Sequence, residues 1–209
     1  MAPAESSDGD GRTARRARNR EAVVTALLDL YRDGVLMPSA DQIAARAGVS
    51  ARSIFRYFAD VDDLASEAVA RQQEHLAPLL VLDLDPDAPL DDRIAAFVSA
   101  RVRVLSGMGE VGRVARIRSV QQPVVARGLA HIRRALRDQV SVVLGPGLAD
   151  RPDAERAALL AAADVLCSWE AHDLMRHDQG LGPDATEAAM GLALRRLLAP
   201  APAPVEDRR

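Results

Sequence analysis

The feature that most limits what this chain can fold into is the stretch Ser39–Leu64, SADQIAARAGVSARSIFRYFADVDDL. Ser39 and Gln42 have the spacing of a capping box, in which each side chain satisfies a free backbone amide at the start of a helix. Gly48 supplies the left-handed residue with which helices commonly end, and Ser50 is placed to cap a second helix. The pattern therefore predicts two short helices joined by a tight turn.

The second of these helices, expected over residues 51–58, has two different faces. Ile54 and Phe58 are four residues apart and form an apolar anchor, whereas Arg52 and Arg56 share another face. A third helix is expected to begin at Asp60. A small rigid unit of this kind can place one helix in the major groove of DNA, so we expect a helix-turn-helix that binds double-stranded DNA.

The remainder of the chain indicates an all-α protein. Of 209 residues, 48% are hydrophobic and only 3% are aromatic, and Ala- and Leu-rich periodic runs are typical of helices. Breaks at Pro and Gly separate further helices, which brings the expected total to about nine. They are predicted over residues 61–76, 90–107, 110–120, 123–144, 153–178 and 184–199. We expect disordered tails at 1–13 and 201–209, the helix-turn-helix domain at 14–60 and a helical domain at 61–200.

Charge is distributed unevenly along the chain. All 27 basic residues are Arg. Residues 11–60 contain nine Arg against five acidic residues, whereas residues 61–209 contain 18 Arg against 22 acidic residues. A basic amino-terminal unit on an acidic body fits a nucleic-acid contact confined to one end. Cys167 is the only cysteine, and we see no apolar run of membrane-spanning length and no signal peptide, so we expect a cytoplasmic protein without a membrane partner.

The segment IAARAGVSARSIFRYFADVDDL resembles the DNA-binding domain of the TetR/AcrR family of bacterial transcriptional regulators. The resemblance covers residues 14–64, and the ending DQGLGPDATEAAMGLALRRLL resembles the ligand-binding and dimerisation half of the same family. It is carried by Ile43, Ala44, Ala47, Gly48, Val49, Ser50, Ile54, Phe55, Tyr57, Phe58 and Leu64. The resemblance implies a homodimeric repressor that binds a palindromic operator and is released by a small-molecule effector.

Two positions depart from the family pattern. The family usually has Tyr where Phe55 stands and often has Lys where Val61 stands. Both of those side chains can bind a DNA phosphate, and Phe and Val cannot. We therefore expect more of the DNA contact to depend on the remaining Arg and Tyr side chains.

We expect Arg52 to read a base edge, because a guanidinium meets guanine O6 and N7 together. Arg56 and the hydroxyl of Tyr57 are expected to contact phosphates, with solvent exposure and core packing as the alternatives. Small hydroxyl side chains and an Arg cluster complete the predicted DNA-binding set, where capping or solvation are the alternatives. This remainder of the set is Ser39, Ser50, Ser53, Arg15, Arg16 and Arg18.

Candidates in the carboxy-terminal half come from size and periodicity. The larger side chains in an Ala-rich body are expected to line an effector pocket, although core packing is the plain alternative for each: Phe97, Met108, Trp169, His172 and Met175. Helices that are apolar on more than one face suggest a dimer interface, with single-subunit core as the alternative. Its candidates are Ala161, Val165, Met190, Ala193, Leu194 and Leu197.

The pattern favours a regulator over other classes. The histidines and Cys167 lack metal-ligand spacing, so we expect no metal and no cofactor. We find no phosphate-binding Gly loop, nucleophile elbow or paired-carboxylate signature, and therefore do not expect an enzyme. A transcriptional activator or a ligand-independent regulator of the same fold remains the alternative, and a helical enzyme is a distant one.

Overall fold

The structure, a computed structural model, describes residues 7–85 and 87–199, with side chains from residue 11 onward. In these residues the regular structure is helical, and nine α-helices follow one another, as the sequence predicts. They are α1 (Ser7–Arg32), α2 (Ala40–Ala47), α3 (Ala51–Tyr57), α4 (Val61–Leu76), α5 (Leu90–Ser119), α6 (Pro123–Leu144), α7 (Asp153–Leu166), α8 (Trp169–Asp173) and α9 (Pro183–Leu198).

The chain divides into two compact units. The head unit comprises the described residues of Met1–Pro78 and Met108–Ile132, and the body unit those of Leu79–Gly107 and Arg133–Arg209. The expected boundary at residue 60 differs from this division, because α4 packs against α1 within the head unit. Local sequence signals mark where a helix ends, but they do not show which helices share a core.

The head unit is built around one apolar core. The side chains that fall on one stripe of α1 are buried together with the apolar faces of α2, α3 and α4. Burial of such side chains is the main force that holds short helices in place. The core includes Val23, Leu27, Leu30, Tyr31, Ile43, Ile54, Tyr57, Phe58 and Leu64.

The local signals around α2 and α3 are confirmed. Ser39 Oγ accepts a hydrogen bond from the Gln42 amide at 3.2 Å, and the Ser39 amide donates to Gln42 Oε1 at 2.8 Å. Gly48 ends α2 with φ 67°, a left-handed conformation that is costly for residues with a β-carbon. Ser50 Oγ then accepts from the Ser53 amide at 3.3 Å and starts α3.

Two expected helix boundaries differ in the structure. Helix α1 begins at Ser7, so the expected tail at 1–13 is helical over residues 7–13, and its residues 1–6 lie outside the described residues. The predicted break between 107 and 110 is present within α5, because Gly109 has a non-helical backbone with φ 44° and ψ −141°. The predicted helix over 153–178 is interrupted because Ser168 Oγ accepts from the Ala171 amide at 3.1 Å and starts α8. The expected tail at 201–209 lies outside the described residues.

The body unit has a buried guanidinium in its core. Arg101, 1% exposed, donates to the backbone oxygens of Leu136 at 2.7 Å and Cys167 at 3.2 Å. Its guanidinium also stacks on the Phe97 ring at 4.9 Å. Arg101 thereby links α5, α6 and the end of α7, where the helix dipole favours a positive charge. Burial raises the pKa of the Cys167 thiol to about 12, which makes the thiolate scarce.

None of the described helices is long and apolar enough to cross a membrane. Over the same residues, no group of three or more His, Cys, Asp or Glu side chains is arranged to hold a metal ion.

Candidate nucleic-acid interface

The solvent-facing side of α3 forms a shallow concave surface of basic and hydroxyl side chains, lined by Ser50, Arg52, Ser53, Phe55 and Arg56. Arg52 and Arg56 are exposed, and Phe55 is 71% exposed. The hydroxyls of Ser50 and Ser53 are 2.8 Å apart. This surface offers guanidinium and hydroxyl donors to an acceptor-rich partner, which is the chemistry of base edges and phosphates.

The opposite side of α3 fixes the orientation of that surface. Ile54, Tyr57 and Phe58 are each no more than 5% exposed and are packed in the head core. A seven-residue helix has little stability of its own, so these buried side chains determine where α3 lies.

Tyr57 has a buried ring and an engaged hydroxyl. Its oxygen accepts hydrogen bonds from Asn19 Nδ2 at 2.9 Å and from an Arg56 guanidinium nitrogen at 3.3 Å. These bonds, chiefly the one from Asn19, lower the pKa of Tyr57. A phosphate contact by this hydroxyl stays a prediction.

One arginine that was not predicted as a site residue holds the interface together. Arg20 of α1 donates to the Tyr57 carbonyl at the end of α3 and to Asp63 and Glu67 of α4, both at 2.9 Å. Its guanidinium lies 4.5 Å from the centre of the Phe58 ring. Arg20 lies in the Arg-dense stretch of the sequence. Its position on α1 places its side chain against α3 and α4, whereas the neighbouring arginines are exposed.

Those neighbours are Arg15, Arg16 and Arg18, which are all exposed on the first half of α1. A guanidinium nitrogen of Arg16 lies 3.4 Å from the Arg56 carbonyl, which brings this part of α1 beside the end of α3. Ser39 is exposed at the start of α2, with its oxygen occupied by the capping bond. A DNA contact by any of these four residues remains a prediction.

The predicted effector residues divide between the two units, and an effector-binding role for them stays a prediction. Phe97, Trp169 and His172 are buried in the body unit and line none of the described cavities; Met175 there is half-buried. His172 Nε2 lies 3.4 Å from Ser106 Oγ, and burial lowers the pKa of His172. Met108 lines one of the described cavities, which belongs to the head unit.

The expected dimer surface needs a correction at two positions. Met190 and Leu194 are 0% exposed and pack inside their own subunit, so neither is available to a partner. Ala161 and Val165 are exposed, whereas Ala193 and Leu197 are half-buried. Leu192 is an exposed large apolar side chain of α9, which periodicity alone did not select.

Comparisons with known proteins agree with this geometry. Residues 35–68 match the family model of bacterial regulatory proteins, tetR family. A transcriptional regulator from Rhodococcus sp. Rha1 matches with a TM-score of 0.65 at 20% identity, over 86% of this chain and 95% of that chain. A tetR-family transcriptional regulator from Streptomyces coelicolor also gives 0.65 at 20% identity, over 85% and 81%.

The multidrug binding protein EbrR, complexed with imidazole, matches with a TM-score of 0.57 at 22% identity, over 91% of this chain and 97% of that chain. Comparison with curated proteins gives no significant sequence match. Structural matches at identities this low show that the fold is shared. The family model adds a sequence match over the helix-turn-helix. Together they confirm the resemblance to TetR-family regulators that the sequence suggested.

The carboxylate of Asp63 gives this interface a pH dependence. Asp63 Oδ2 accepts from the Ala59 amide at 3.0 Å, and this bond, with a smaller effect from Arg20, lowers the pKa of Asp63 below its ordinary 3.8. A carboxylate with a lowered pKa stabilises the fold at pH values above its unfolded-state pKa. This stabilisation is lost as pH falls through the folded-state pKa.

Urea unfolding followed by circular dichroism should therefore show a steeper stability loss from about pH 5 to about pH 3 for the wild type than for Asp63→Asn. Asp62→Asn, which changes a neighbouring exposed carboxylate, should keep the wild-type slope; equal slopes for wild type and Asp63→Asn would contradict the prediction.

Proposed function

We propose that this chain, a DNA-binding regulator of the TetR fold, represses transcription as a homodimer on a palindromic operator and releases DNA when a small molecule binds. The observation that carries the proposal is the two-sided α3. Its apolar side is locked in the head core, and its basic, hydroxyl-bearing side is exposed and concave. Such a helix presents donors in a fixed orientation, which sequence reading in the major groove requires.

Each exposed donor has a role in this proposal. Arg52, near the start of α3, reads a guanine edge. Arg56, Tyr57 and the two serines bind phosphates and set the register of the helix on DNA. Arg15, Arg16, Arg18 and Ser39 extend the contact to neighbouring phosphates or to the minor groove.

A homodimer is supported by exposed apolar side chains on α7 and α9, which pack against each other in the body unit. Ala154, Ala158, Ala161 and Val165 recur at helical spacing on α7 and are all exposed, and Leu192 of α9 is 53% exposed. Small side chains allow helices to approach closely, and a two-fold axis through such a surface matches the symmetry of a palindromic operator.

Release by an effector needs a molecule that binds one conformation of the dimer better than the other. A small-molecule response is supported by the fold shared with EbrR, a multidrug binding protein, and by a cavity in the head unit. An activator of the same fold is the alternative, and a reporter gene fused to the operator separates the two by the sign of its response.

Arg52 provides the first test. A DNA site is selected from a random pool with the wild-type protein, and affinities are measured by fluorescence anisotropy at several salt concentrations. Arg52→Ala should lower affinity for the selected site by about 5–150-fold, the cost of one lost guanine contact. Arg103→Ala, an exposed arginine in the body unit, should leave affinity unchanged. Absence of binding by the wild type at low salt would refute the proposal, because phosphate contacts strengthen as salt falls.

Phe55 provides a gain-of-function test. Phe55→Tyr places a hydroxyl on the exposed face of α3, where it can donate to a phosphate. Affinity should rise by about 3–10-fold, the net value of one ordinary hydrogen bond, on selected and random DNA alike. Phe55→Leu, which adds no hydroxyl, should show no gain. A gain restricted to the selected site would contradict the phosphate assignment.

Val165 tests the dimer. Val165→Glu places a charge in the exposed apolar face of α7, where a partner would bury it without a counter-charge. Sedimentation velocity should show the variant as a monomer where the wild type is a dimer. Val142→Glu is the matched control, because Val142 is 72% exposed on α6 and should leave the dimer intact. A dimer that survives Val165→Glu would place the interface elsewhere.

A further inference from the structure

An aromatic ring lies among the polar groups of the concave α3 surface. Phe55 is 71% exposed there, and the other lining residues of that surface are two serines and two arginines. A phenyl ring in water leaves a large apolar area uncovered, and covering that area is favourable. Phe55 therefore offers binding free energy to a partner that brings an apolar group to this surface.

Phe55 shares a side of α3 with Arg52. The two residues are three positions apart in the helix, and such residues are neighbours on its surface. With a rise of about 1.5 Å per residue they are separated by about 4.5 Å along the helix axis, whereas successive base pairs are about 3.4 Å apart. When Arg52 lies on a guanine, Phe55 is therefore held within about two base pairs of that guanine.

The direction of the ring is fixed from the opposite side of the helix. Ile54 and Phe58 are buried in the head core, and Ser50 Oγ accepts from the Ser53 amide at the start of α3. The chain residue next to the phenyl ring on each side thus belongs to a helix that cannot turn freely. A side chain on a helix held in this way points in a defined direction, which selection among base pairs requires.

DNA carries an apolar group that suits this ring. In the major groove the C5-methyl group of thymine lies beside the acceptor atoms of the same and neighbouring bases, so a surface that combines a ring with donors can contact both. An apolar protein surface would instead bury the guanidinium groups of Arg52 and Arg56 without counter-charges, which is costly. The mixture of groups around Phe55 therefore favours thymine over a protein partner.

We propose that Phe55 selects a thymine in each half of the operator by packing its ring on the C5-methyl group, within about two base pairs of the guanine that Arg52 reads. This inference rests on the proposed DNA-binding function. It gives a role to a side chain that cannot bind a phosphate, and it adds a second base-reading residue to α3. Cytosine presents no methyl group in the major groove and is disfavoured at that position.

The test removes the methyl group from the DNA and leaves the protein unchanged. Each thymine of the site selected with the wild type is replaced in turn by deoxyuridine, which pairs with adenine but has no methyl group. Affinity is measured by fluorescence anisotropy on the full chain. At one thymine of each half-site, affinity should fall by about 2–5-fold for each methyl group removed, the value of one buried group of that size. A selected site in which no thymine responds would overturn the proposal.

Three variants assign the methyl dependence to Phe55. Phe55→Ser should bind the thymine and deoxyuridine sites equally, and a difference that persists would refute the assignment. Phe55→Tyr keeps the ring and should keep the difference. Met37→Ser is the matched control, because Met37 is also 71% exposed but does not line the concave surface, and it should respond as the wild type does. Circular dichroism confirms that each variant is folded.

The failure of this inference and the failure of the proposed function give different results. If the wild type binds no DNA at low salt, the proposed function is refuted. If the wild type binds its selected site but every deoxyuridine substitution is neutral, the role of Phe55 is refuted and the DNA-binding function stands. If Phe55→Ser changes the sedimentation coefficient and keeps the methyl dependence, Phe55 contacts a protein partner and the thymine assignment is wrong.

Discussion

The candidate interface depends on one guanidinium. Arg20 of α1 simultaneously binds the last carbonyl of α3 and two carboxylates of α4, and it stacks on Phe58. The planar guanidinium has five donors in a fixed geometry, so it can hold several partners in one arrangement where an ammonium group would act as a point charge. The ion pairs are partly exposed and each contributes little to stability. Their effect is on position: they set the end of α3 against α1 and α4.

This arrangement explains how so short a helix can present a fixed surface. Helix α3 has seven residues, fewer than an isolated helix needs in water. Its caps and its buried Ile54 and Tyr57 supply the order that its length does not. The side chains on the solvent-facing side of α3 are not needed for packing and can contact a partner. They are arginines, serines and the exposed Phe55. One side of α3 packs in the head unit, and the other side carries the groups proposed to bind DNA.

The cavity of the head unit is lined mostly by side chains that the size criterion did not select. Trp169 and Phe97 are the largest side chains of the carboxy-terminal half, and in the structure they fill the body core. A large side chain excludes other molecules as effectively as it contacts them. The cavity lies where several smaller side chains, among them Ala65, Ala68, Gly112, Ala115 and Gly128, leave space between four helices. Such a space depends on how several helices pack together, so it cannot be predicted from any single stretch of sequence.

The sequence by itself determined the parts of this protein that depend on near neighbours. The capping box at Ser39, the left-handed Gly48 and the apolar pair Ile54 and Phe58 act within a few residues, and all are present as predicted. Tertiary structure alone decided the rest. It separated Arg20 from the exposed arginines beside it, buried Met190 and Leu194 while exposing Leu192, and left an apolar cavity between α1, α4, α5 and α6 of the head unit. The physical reason is that burial depends on which helices meet, and helices meet through contacts between residues that are far apart in the chain.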